Sequence, residues 1–368
     1  MFSNSSLYVP VLVGLLSVLC YQLVQFIMYM DLNKRVYNHV PGECNNIASM
    51  DNGAVDMQLL SQSSGVLLVS AGLRLYNTSY SNKTGAIYAY NITSRTSWEV
   101  TLDSKTLSKK NFNPHGISVW ENRQGKITIF VVNHRNKKAD TVEIFKYQET
   151  EREKKLVHLK TVKSPLLTNL RDVAAVGPEK FYATSYHYFN NPTMQSVEVM
   201  LGLRLGSVLY FDGSNTTYAQ RWIGSPTGIA LDKSKKYIYV ASFTEGKIYV
   251  FTLEKDGNLT MKGEIELKTS PYNIVVDDLT SDLYVGCQPV KMRFFRHEAS
   301  PKEYYAPSQI IKVHGRPTTM KWTFSEVFAN DGATISGATV GVRYKNMLLI
   351  GSAFNSMLAC NLDAPNLL

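Results

Sequence analysis

Six repeats of one strand pattern fill the chain after about residue 44. Each repeat has a short apolar inner segment followed by two strands of mixed aromatic and β-branched residues, as in TGIALD, KYIYVASF and GKIYVF. The spacing of roughly fifty residues is typical of a propeller rather than a sandwich. One such sheet cannot bury both of its faces, whereas radial packing buries them and protects the edges. The sequence therefore predicts an all-β fold, a six-bladed β-propeller.

The N-terminal segment predicts a transmembrane helix. The first thirty residues carry no charged side chain, and the first charged residue is Asp31. The apolar run covers 6–30, and this is about the length that a helix needs to cross a bilayer. A cleaved signal peptide is the alternative, but no small-x-small site follows the run. The predicted organisation is a short cytoplasmic N-terminus 1–5, the helix 6–30, a stalk 31–43, the propeller 44–362 and a tail 363–368.

Five glycosylation sequons predict the orientation of this helix. They are Asn77, Asn82, Asn91, Asn215 and Asn258. Lys34 and Arg35 follow the apolar run, and the positive-inside rule alone would place them in the cytoplasm. The sequons outweigh these two charges, so we expect a single-pass type II protein with a lumenal or extracellular propeller. It would reside in the endoplasmic reticulum, the plasma membrane or both.

The cysteines suit an oxidising compartment. Cys44 and Cys360 stand near opposite ends of the predicted propeller, and this suggests one bridge that ties its ends together. Cys20 lies in the apolar helix, and Cys287 is expected to be a buried free thiol. The net charge of +9 arises from lysines in polar, turn-like stretches without interleaved aromatics, which argues against nucleic acid as a partner.

Alignment of the inner segments predicts which residues surround the propeller axis. One ring comprises Asp56, Gly116, Asp172, Gly228, Asn273 and Gly337, and its neighbour comprises Val55, His115, Arg171, Thr227, Tyr272 and Ser336. Calcium takes six to eight oxygen ligands, and the two aspartates of the first ring could supply carboxylates. The second ring offers few oxygens and one arginine, so at most one calcium is expected.

Two histidines near this axis could form an acid–base pair. They are His115 and His134. The alternative, that they are structural histidines in a polar tunnel, is favoured because no second cation is expected to polarise a substrate. The sequence contains no G-x-S-x-G or HExxH motif.

Several motifs resemble the paraoxonase/arylesterase family. They include FNPHGIS, VVNH, LRDVAAVGPEKFYATSYHYF and DLYVGCQP, and the resemblance runs from about residue 44 to 362. It implies a six-bladed propeller with a terminal disulfide, a retained N-terminal hydrophobic segment and two axial calcium ions. Active members of that family are calcium-dependent lactonases and aryl esterases.

Residue by residue, the resemblance implies that one of the two calcium sites is kept. Asp56, Asp172 and the carbonyl of Ile117 match the structural-calcium ligands, and Cys44 and Cys360 match the disulfide. His115 and His134 match the histidine dyad, which is expected to be vestigial in this chain. Asn273 matches one ligand of the catalytic calcium, but its other positions carry Val55, Arg171, Thr227 and Tyr272 in place of a glutamate, two asparagines and an aspartate. The resemblance therefore implies one structural calcium and no catalytic calcium.

Three functions follow as hypotheses. The first is a non-enzymatic chaperone, assembly factor or accessory subunit of a degenerin/epithelial-type sodium channel in a mechanosensory complex, as known for membrane-anchored nematode proteins of this kind. The second is a calcium-dependent lactonase or arylesterase with an altered site. The third is a lipid- or sterol-binding propeller that uses a predicted helix at 193–202, where Met194, Val197 and Leu201 form one stripe.

Overall fold

The computed structural model describes residues 5–47, 50, 53–61, 63–71, 84–135, 139–150 and 153–362. Six sheets, antiparallel apart from one short edge strand, surround one axis. The predicted six-bladed β-propeller is therefore confirmed. Strands that follow one another in the sequence pair within each blade, except that Thr101–Asp103 joins blade 2 and Cys44–Ile47 joins blade 6 out of sequence order.

In the described part of the chain, the blades contain 25 strands, and each blade runs from its innermost strand at the axis to its outermost. Blade 1 comprises Asp56–Ser61, Val66–Ala71, Ala86–Asn91 and Thr96–Glu99. Blade 2 comprises Pro114–Glu121, Ile127–Asn133, Thr141–Glu149 and Lys154–Val162, with Thr101–Asp103 added in parallel at its outer edge. Blade 3 comprises Leu170–Ala175, Phe181–Ser185, Gly206–Phe211 and Thr216–Ile223.

The remaining blades follow the same plan. Blade 4 comprises Pro226–Leu231, Tyr237–Ser242, Lys247–Leu253 and Leu259–Glu266. Blade 5 comprises Ser270–Val276, Leu283–Gln288, Ser308–Arg316 and Lys321–Asn330. Blade 6 comprises Ala338–Tyr344, Met347–Ser352, Met357–Asn361 and the early strand Cys44–Ile47. A 3-10 turn, Lys109–Asn111, precedes blade 2.

The first strand of the propeller sequence closes the ring by pairing with the last strand. Cys44–Ile47 pairs with Met357–Asn361 so that Cys44 lies opposite Cys360. The two cysteines form a disulfide across 316 residues of sequence. The predicted bridge is thus present, and Cys287 is a buried free thiol as expected.

The hydrophobic core is divided into six layers, one between each pair of neighbouring blades. For example, Phe130 and Val132 of blade 2 pack with Phe181 and Leu209 of blade 3. Equivalent layers join the other five pairs of blades. Because each blade buries both faces against its neighbours, inner strands such as Val66–Ala71 and Leu283–Gln288 are buried on both sides rather than alternately.

Three helices of the described residues lie outside the sheets. Helix α1 spans Ser5–Tyr29, and its segment Val9–Tyr29 is long and apolar enough to cross a membrane. Helix α2 spans Pro192–Met200, close to the predicted 193–202, because Asn191 caps the amides of Thr193 and Met194 and Pro192 opens the first turn. Helix α3 spans Lys291–Ala299.

The segment 31–43, predicted as a stalk, lies on the propeller instead of standing away from it. Asp31 is buried and pairs with Lys291 of α3 at 2.7 Å. His39 exchanges main-chain hydrogen bonds with Ala329 of blade 5. The last turn of α1 also docks, since the Tyr29 hydroxyl donates to the Val199 carbonyl of α2 at 2.5 Å. The helix therefore leaves the propeller from the face that carries α2 and α3.

Three of the predicted glycosylation sites lie in outer turns of blades. Asn91 is the last residue of the third strand of blade 1, and the exposed Asn215 and Asn258 lie in the connections between the third and fourth strands of blades 3 and 4. These turns are at the opposite end of the blades from α2 and α3. Asn77, Asn82, most of the predicted N-terminus 1–5 and the tail 363–368 lie outside the described residues.

Candidate metal centre and tunnel mouth

A break in strand pairing brings polar residues to the axis. In blades 2 to 5, the pairing of the inner strand skips two residues, for example between Leu170 and Val173 in blade 3. The skipped residues belong to the two predicted rings. In blade 6 only Thr339 is skipped, between Ala338 and Val340. Thr339, and neither the predicted Gly337 nor the predicted Ser336, is therefore the skipped residue of blade 6.

Two buried carboxylates lie at the centre of the axis. Asp56 accepts hydrogen bonds from the amides of Met57 and Ile117 at 2.8 and 2.7 Å. Asp172 accepts from the amides of Val173 and Ile229 at 2.7 and 2.9 Å. Each carboxylate thus links its own blade to the next one. The predicted role of Ile117 was through its carbonyl, whereas the contact that the structure shows is through its amide.

Glycines allow the inner strands to approach one another around these carboxylates. A Cβ on Gly116 would overlap the Cα and the carboxylate of Asp172. A Cβ on Gly228 would lie 2.5 Å from the carbonyl oxygen of Tyr272. At both ring positions, a side chain would therefore push neighbouring blades apart.

The electrostatics of this pair fit a bound cation. Burial raises the pKa of Asp56 to about 7. Burial, with the added repulsion of Asp56, raises the pKa of Asp172 well above its ordinary range. Among the described residues, no Lys or Arg side chain forms an ion pair with either carboxylate, and no cluster of three or more His, Cys, Asp or Glu side chains suits a metal. A calcium ion here would take carboxylates from Asp56 and Asp172 and its other oxygens from the main chain or water.

The calcium prediction has a pH dependence that can be measured. Without calcium, folded Asp56 with a pKa of about 7 binds a proton between pH 4 and 7 that the unfolded chain releases. Raising the pH through this window therefore lowers the stability of the calcium-free protein. Calcium competes with that proton, so we expect the calcium-induced rise in Tm to be larger at pH 8 than at pH 5.5. Equal shifts at the two pH values, or no shift on chelation, would contradict a calcium bound by this pair.

We call the positions of the second predicted ring the tunnel mouth, and its side chains are less acidic than the carboxylates at the centre of the axis. Val55 is fully buried and packs with Ala353 and Phe354. Tyr272 packs into an aromatic cluster with Phe243 and Phe294, at centroid distances of 6.4 and 6.0 Å. Both positions offer hydrophobic surface where the resemblance leads one to expect carboxylates.

The other two mouth positions are also engaged with the protein. The Arg171 guanidinium lies 4.6 Å from the centre of the Tyr186 ring, and the Thr227 hydroxyl donates to the Pro271 carbonyl at 3.1 Å. An arginine opposes the binding of a divalent cation, and the threonine oxygen is already used in a contact between blades 4 and 5. These four side chains fit a second calcium poorly.

Asn273 is used to join blades. Its Nδ2 donates to the Val55 carbonyl at 2.9 Å, and the same carbonyl accepts from the Thr339 hydroxyl at 2.7 Å. The buried Oδ1 of Asn273 has no hydrogen-bond partner among the described residues. Blades 5 and 6 are thereby both tied to blade 1. Thr339 was missed because the break in blade 6 is shorter than the others, and sequence alignment alone did not show this.

The two histidines do meet at the mouth. The His115 and His134 rings pack edge to face with centroids 5.1 Å apart, and His134 Nδ1 lies 2.9 Å from the Asp140 carboxylate. Burial, followed by the charges of His134 and Arg171, lowers the pKa of His115 well below its ordinary value, so it is neutral. Asp140 was not identified from the sequence. It lies just before the strand Thr141–Glu149, in the same connection as His134, and no sequence motif marks it. The two rings are in contact but are not joined by a hydrogen bond, since both nitrogens of His115 and Nε2 of His134 lack a hydrogen-bond partner among the described residues.

Helices α2 and α3 cover one side of this mouth. Arg171, His187, Gln195, Val199 and Phe295 line a cavity between them. On α2, Met194 and Val197 are 42% and 40% exposed, and Leu201 at its end is 68% exposed. The predicted stripe thus faces outward rather than into the core. This is the arrangement expected of a lid that contacts another surface.

Comparison with known proteins identifies the relatives of this chain. A family model described as Arylesterase matches residues 18–362. Human serum paraoxonase/arylesterase 1 is 34% identical over 323 residues, which cover 87% of this chain and 88% of that protein. Mechanosensory abnormality protein 6 of Caenorhabditis elegans is 31% identical over 352 residues, which cover 92% of each chain.

Solved structures show the same architecture at much lower identity. A luciferin-regenerating enzyme matches with a TM-score of 0.52 at 11% identity, over 87% of this chain and 95% of that one. A calcium-binding regucalcin from Agrobacterium tumefaciens matches with a TM-score of 0.52 at 8% identity, over 88% and 95%. These two similarities concern the fold alone. The family model and the sequence relatives, together with the propeller and its axial aspartates, show that this chain belongs to the arylesterase family, which includes the paraoxonases.

Proposed function

We propose that this chain is a non-hydrolytic, membrane-anchored member of the family that assists a degenerin/epithelial-type sodium channel as an assembly factor or accessory subunit. The observation that carries the proposal is the tunnel mouth, where Val55, Arg171, Thr227 and Tyr272 stand at the positions of catalytic-calcium ligands. The name of the C. elegans relative, a mechanosensory abnormality protein, supports a role in a mechanosensory complex.

The chemistry of this mouth supports the non-hydrolytic part. A lactonase of the family type polarises the substrate carbonyl with a metal ion and stabilises the oxyanion that forms. At about 4 Å and an effective dielectric of about 20, a divalent ion and a guanidinium repel by roughly 8 kcal/mol. His115 and His134 would then lack an electrophilic partner.

The membrane topology is part of the proposal. Helix α1 is proposed to be a type II anchor, with the propeller in the lumen of the endoplasmic reticulum or outside the cell. The exposed turns at Asn215 and Asn258 support this orientation, because glycans are added in the lumen. We further propose that α2 contacts the bilayer through Met194, Val197 and Leu201. Glycosidase treatment that left the mobility of the full-length protein unchanged would contradict the lumenal orientation.

The channel role can be tested by co-expression. Full-length protein and a degenerin-type channel subunit are expressed together, and surface channel protein and sodium current are measured. We expect both to increase several-fold over the channel alone. The His115→Gln variant serves as a matched control and should act like the wild-type chain, because the proposed role requires no acid–base chemistry. Unchanged surface protein and current with the wild-type chain would refute the channel proposal.

A calcium-dependent lactonase is the second candidate, and it is favoured by the contact between the His115 and His134 rings and by the hydrogen bond of His134 to Asp140. We expect the purified full-length protein to hydrolyse lactones and phenyl acetate no faster than the buffer background in millimolar calcium. Turnover well above background that is lost in His115→Gln, while the melting temperature stays unchanged, would overturn the non-hydrolytic proposal. A turnover that persists in this variant would point to a contaminating hydrolase.

A further inference from the structure

An exposed tryptophan occupies a strained position on the outer strand of blade 3. Pairing between Gly206–Phe211 and Thr216–Ile223 skips Trp222, which lies in a bulge between Arg221 and Ile223. Its backbone φ is 68°, in the left-handed region that favours glycine and is an outlier for a bulky side chain. Nevertheless, Trp222 is 55% exposed, so its side chain gains little burial in return for this conformation.

Arg221 and Tyr218 complete the surface around this tryptophan. The Arg221 guanidinium lies 4.6 Å from the centre of the Tyr218 ring and 4.9 Å from that of the Trp222 ring. Arg221 is exposed, and no carboxylate among the described residues lies within ion-pair distance of it. The two rings hold the cation in place with its charge uncompensated. We call these three side chains the blade 3 patch.

The composition of the blade 3 patch is that of an interface hot spot. Trp, Tyr and Arg are the residues most enriched among those that dominate binding energy. Strained backbone is typical of functional positions, since a protein that needed only stability would gain from glycine there. The bulges at Ala219 and Trp222 interrupt the edge of the strand, so an added β-strand is disfavoured and recognition would use these side chains.

We infer that the blade 3 patch binds an acidic segment in the extracellular part of the partner channel subunit. This inference rests on the channel partner proposed above. A carboxylate would pair with Arg221 while apolar atoms of the same segment cover Trp222 and Tyr218. A protein segment fits better than lipid, because anionic lipid is concentrated in the cytoplasmic leaflet, opposite to the proposed side of the propeller.

Trp222→Gly separates binding from folding. Glycine relieves the left-handed strain, so we expect the Tm of the full-length protein to stay the same or rise. We expect its co-purification with the channel subunit in detergent to fall at least tenfold. Arg221→Glu, which leaves the strained backbone unchanged, should give a similar loss through charge repulsion. Phe324→Ala is the matched control, since Phe324 is 48% exposed on the outer strand of blade 5, and it should co-purify like the wild-type chain.

If Trp222→Gly and Arg221→Glu co-purify like the wild-type chain, the blade 3 patch is not the binding surface, and the channel proposal stands. The same result is expected if the patch contacts only lipid, because no bilayer is present in detergent. If Trp222→Gly lowers Tm, the strain argument fails, and Arg221→Glu alone decides the binding surface. If the wild-type chain itself does not co-purify, both the channel partner and this inference are overturned.

Discussion

Replacing Asp31 with alanine is expected to lower the free energy of unfolding by about 3–5 kcal/mol, the usual cost of removing one partner of a buried ion pair. The Asp31 and Lys291 side chains are only 5% and 7% exposed, and their charged atoms lie 2.7 Å apart. Burial already lowers the pKa of Lys291, and Asp31 opposes that shift. Without the carboxylate, the Lys291 ammonium would keep, among the described residues, the Ser270 hydroxyl at 3.2 Å and the Tyr29 ring, whose centre is 5.3 Å away.

The measurement is denaturant unfolding of the full-length protein in detergent. Lys34→Ala is the matched control, because Lys34 contacts the other oxygen of the same carboxylate but is 33% exposed; it should cost less than about 1 kcal/mol. The double variant Asp31→Leu/Lys291→Met should recover much of the loss, since apolar replacement of a buried pair is often neutral. A cost below about 1 kcal/mol for Asp31→Ala, the level of an exposed pair, would show that the end of α1 does not contribute to propeller stability.

Removal of the Cys44–Cys360 disulfide is expected to have an effect of similar size. The two cysteines are separated by 316 residues, and the loop-entropy relation gives roughly 5–6 kcal/mol for such a loop, against about 2–5 kcal/mol typically measured for native bridges. We therefore expect Cys44→Ser/Cys360→Ser to lose about 2–5 kcal/mol, because the first strand of the propeller can then leave blade 6.

The control for the disulfide is Cys20→Ser, which changes an exposed cysteine of α1 outside the propeller. It should unfold like the wild-type protein. Non-reducing peptide mapping provides an independent check, and the Cys44–Cys360 peptide is the expected product. A peptide that joins Cys44 to Cys287, or equal stability of the double variant and the wild-type protein, would contradict closure by this bridge.

The Asp56–Asp172 pair and the side chains at the tunnel mouth make different kinds of contact. Asp56 and Asp172 each accept an amide hydrogen bond from the neighbouring blade, so replacement of either would disturb contacts between blades. The Val55, Arg171 and Tyr272 side chains at the mouth pack against loops and aromatic rings instead. Replacing these three side chains would alter the chemistry of the mouth and would leave the amide hydrogen bonds of Asp56 and Asp172 in place.

Local patterns in the sequence determined the blades, the apolar α1 and the capped α2. Strand pairs within a blade are close in sequence, and the cap of α2 depends on the neighbouring residues Asn191 and Pro192. These features can therefore be predicted from short segments of sequence. The motifs FNPHGIS and DLYVGCQP were enough to indicate the family. The side-chain types at Val55 and Arg171 were equally visible in the sequence, and they already argued against a second calcium.

Only the tertiary structure decided how distant segments meet. The Asp31–Lys291 pair joins residues 260 positions apart, and no local pattern marks a lysine that will be buried. The break in blade 6 that brings Thr339 to the axis depends on its pairing with the neighbouring strand, so alignment placed Gly337 there instead. The exposure of the α2 stripe and of Trp222 depends equally on what packs above them. Burial and register are properties of the assembled blades, because each is set by neighbours that the sequence places far away.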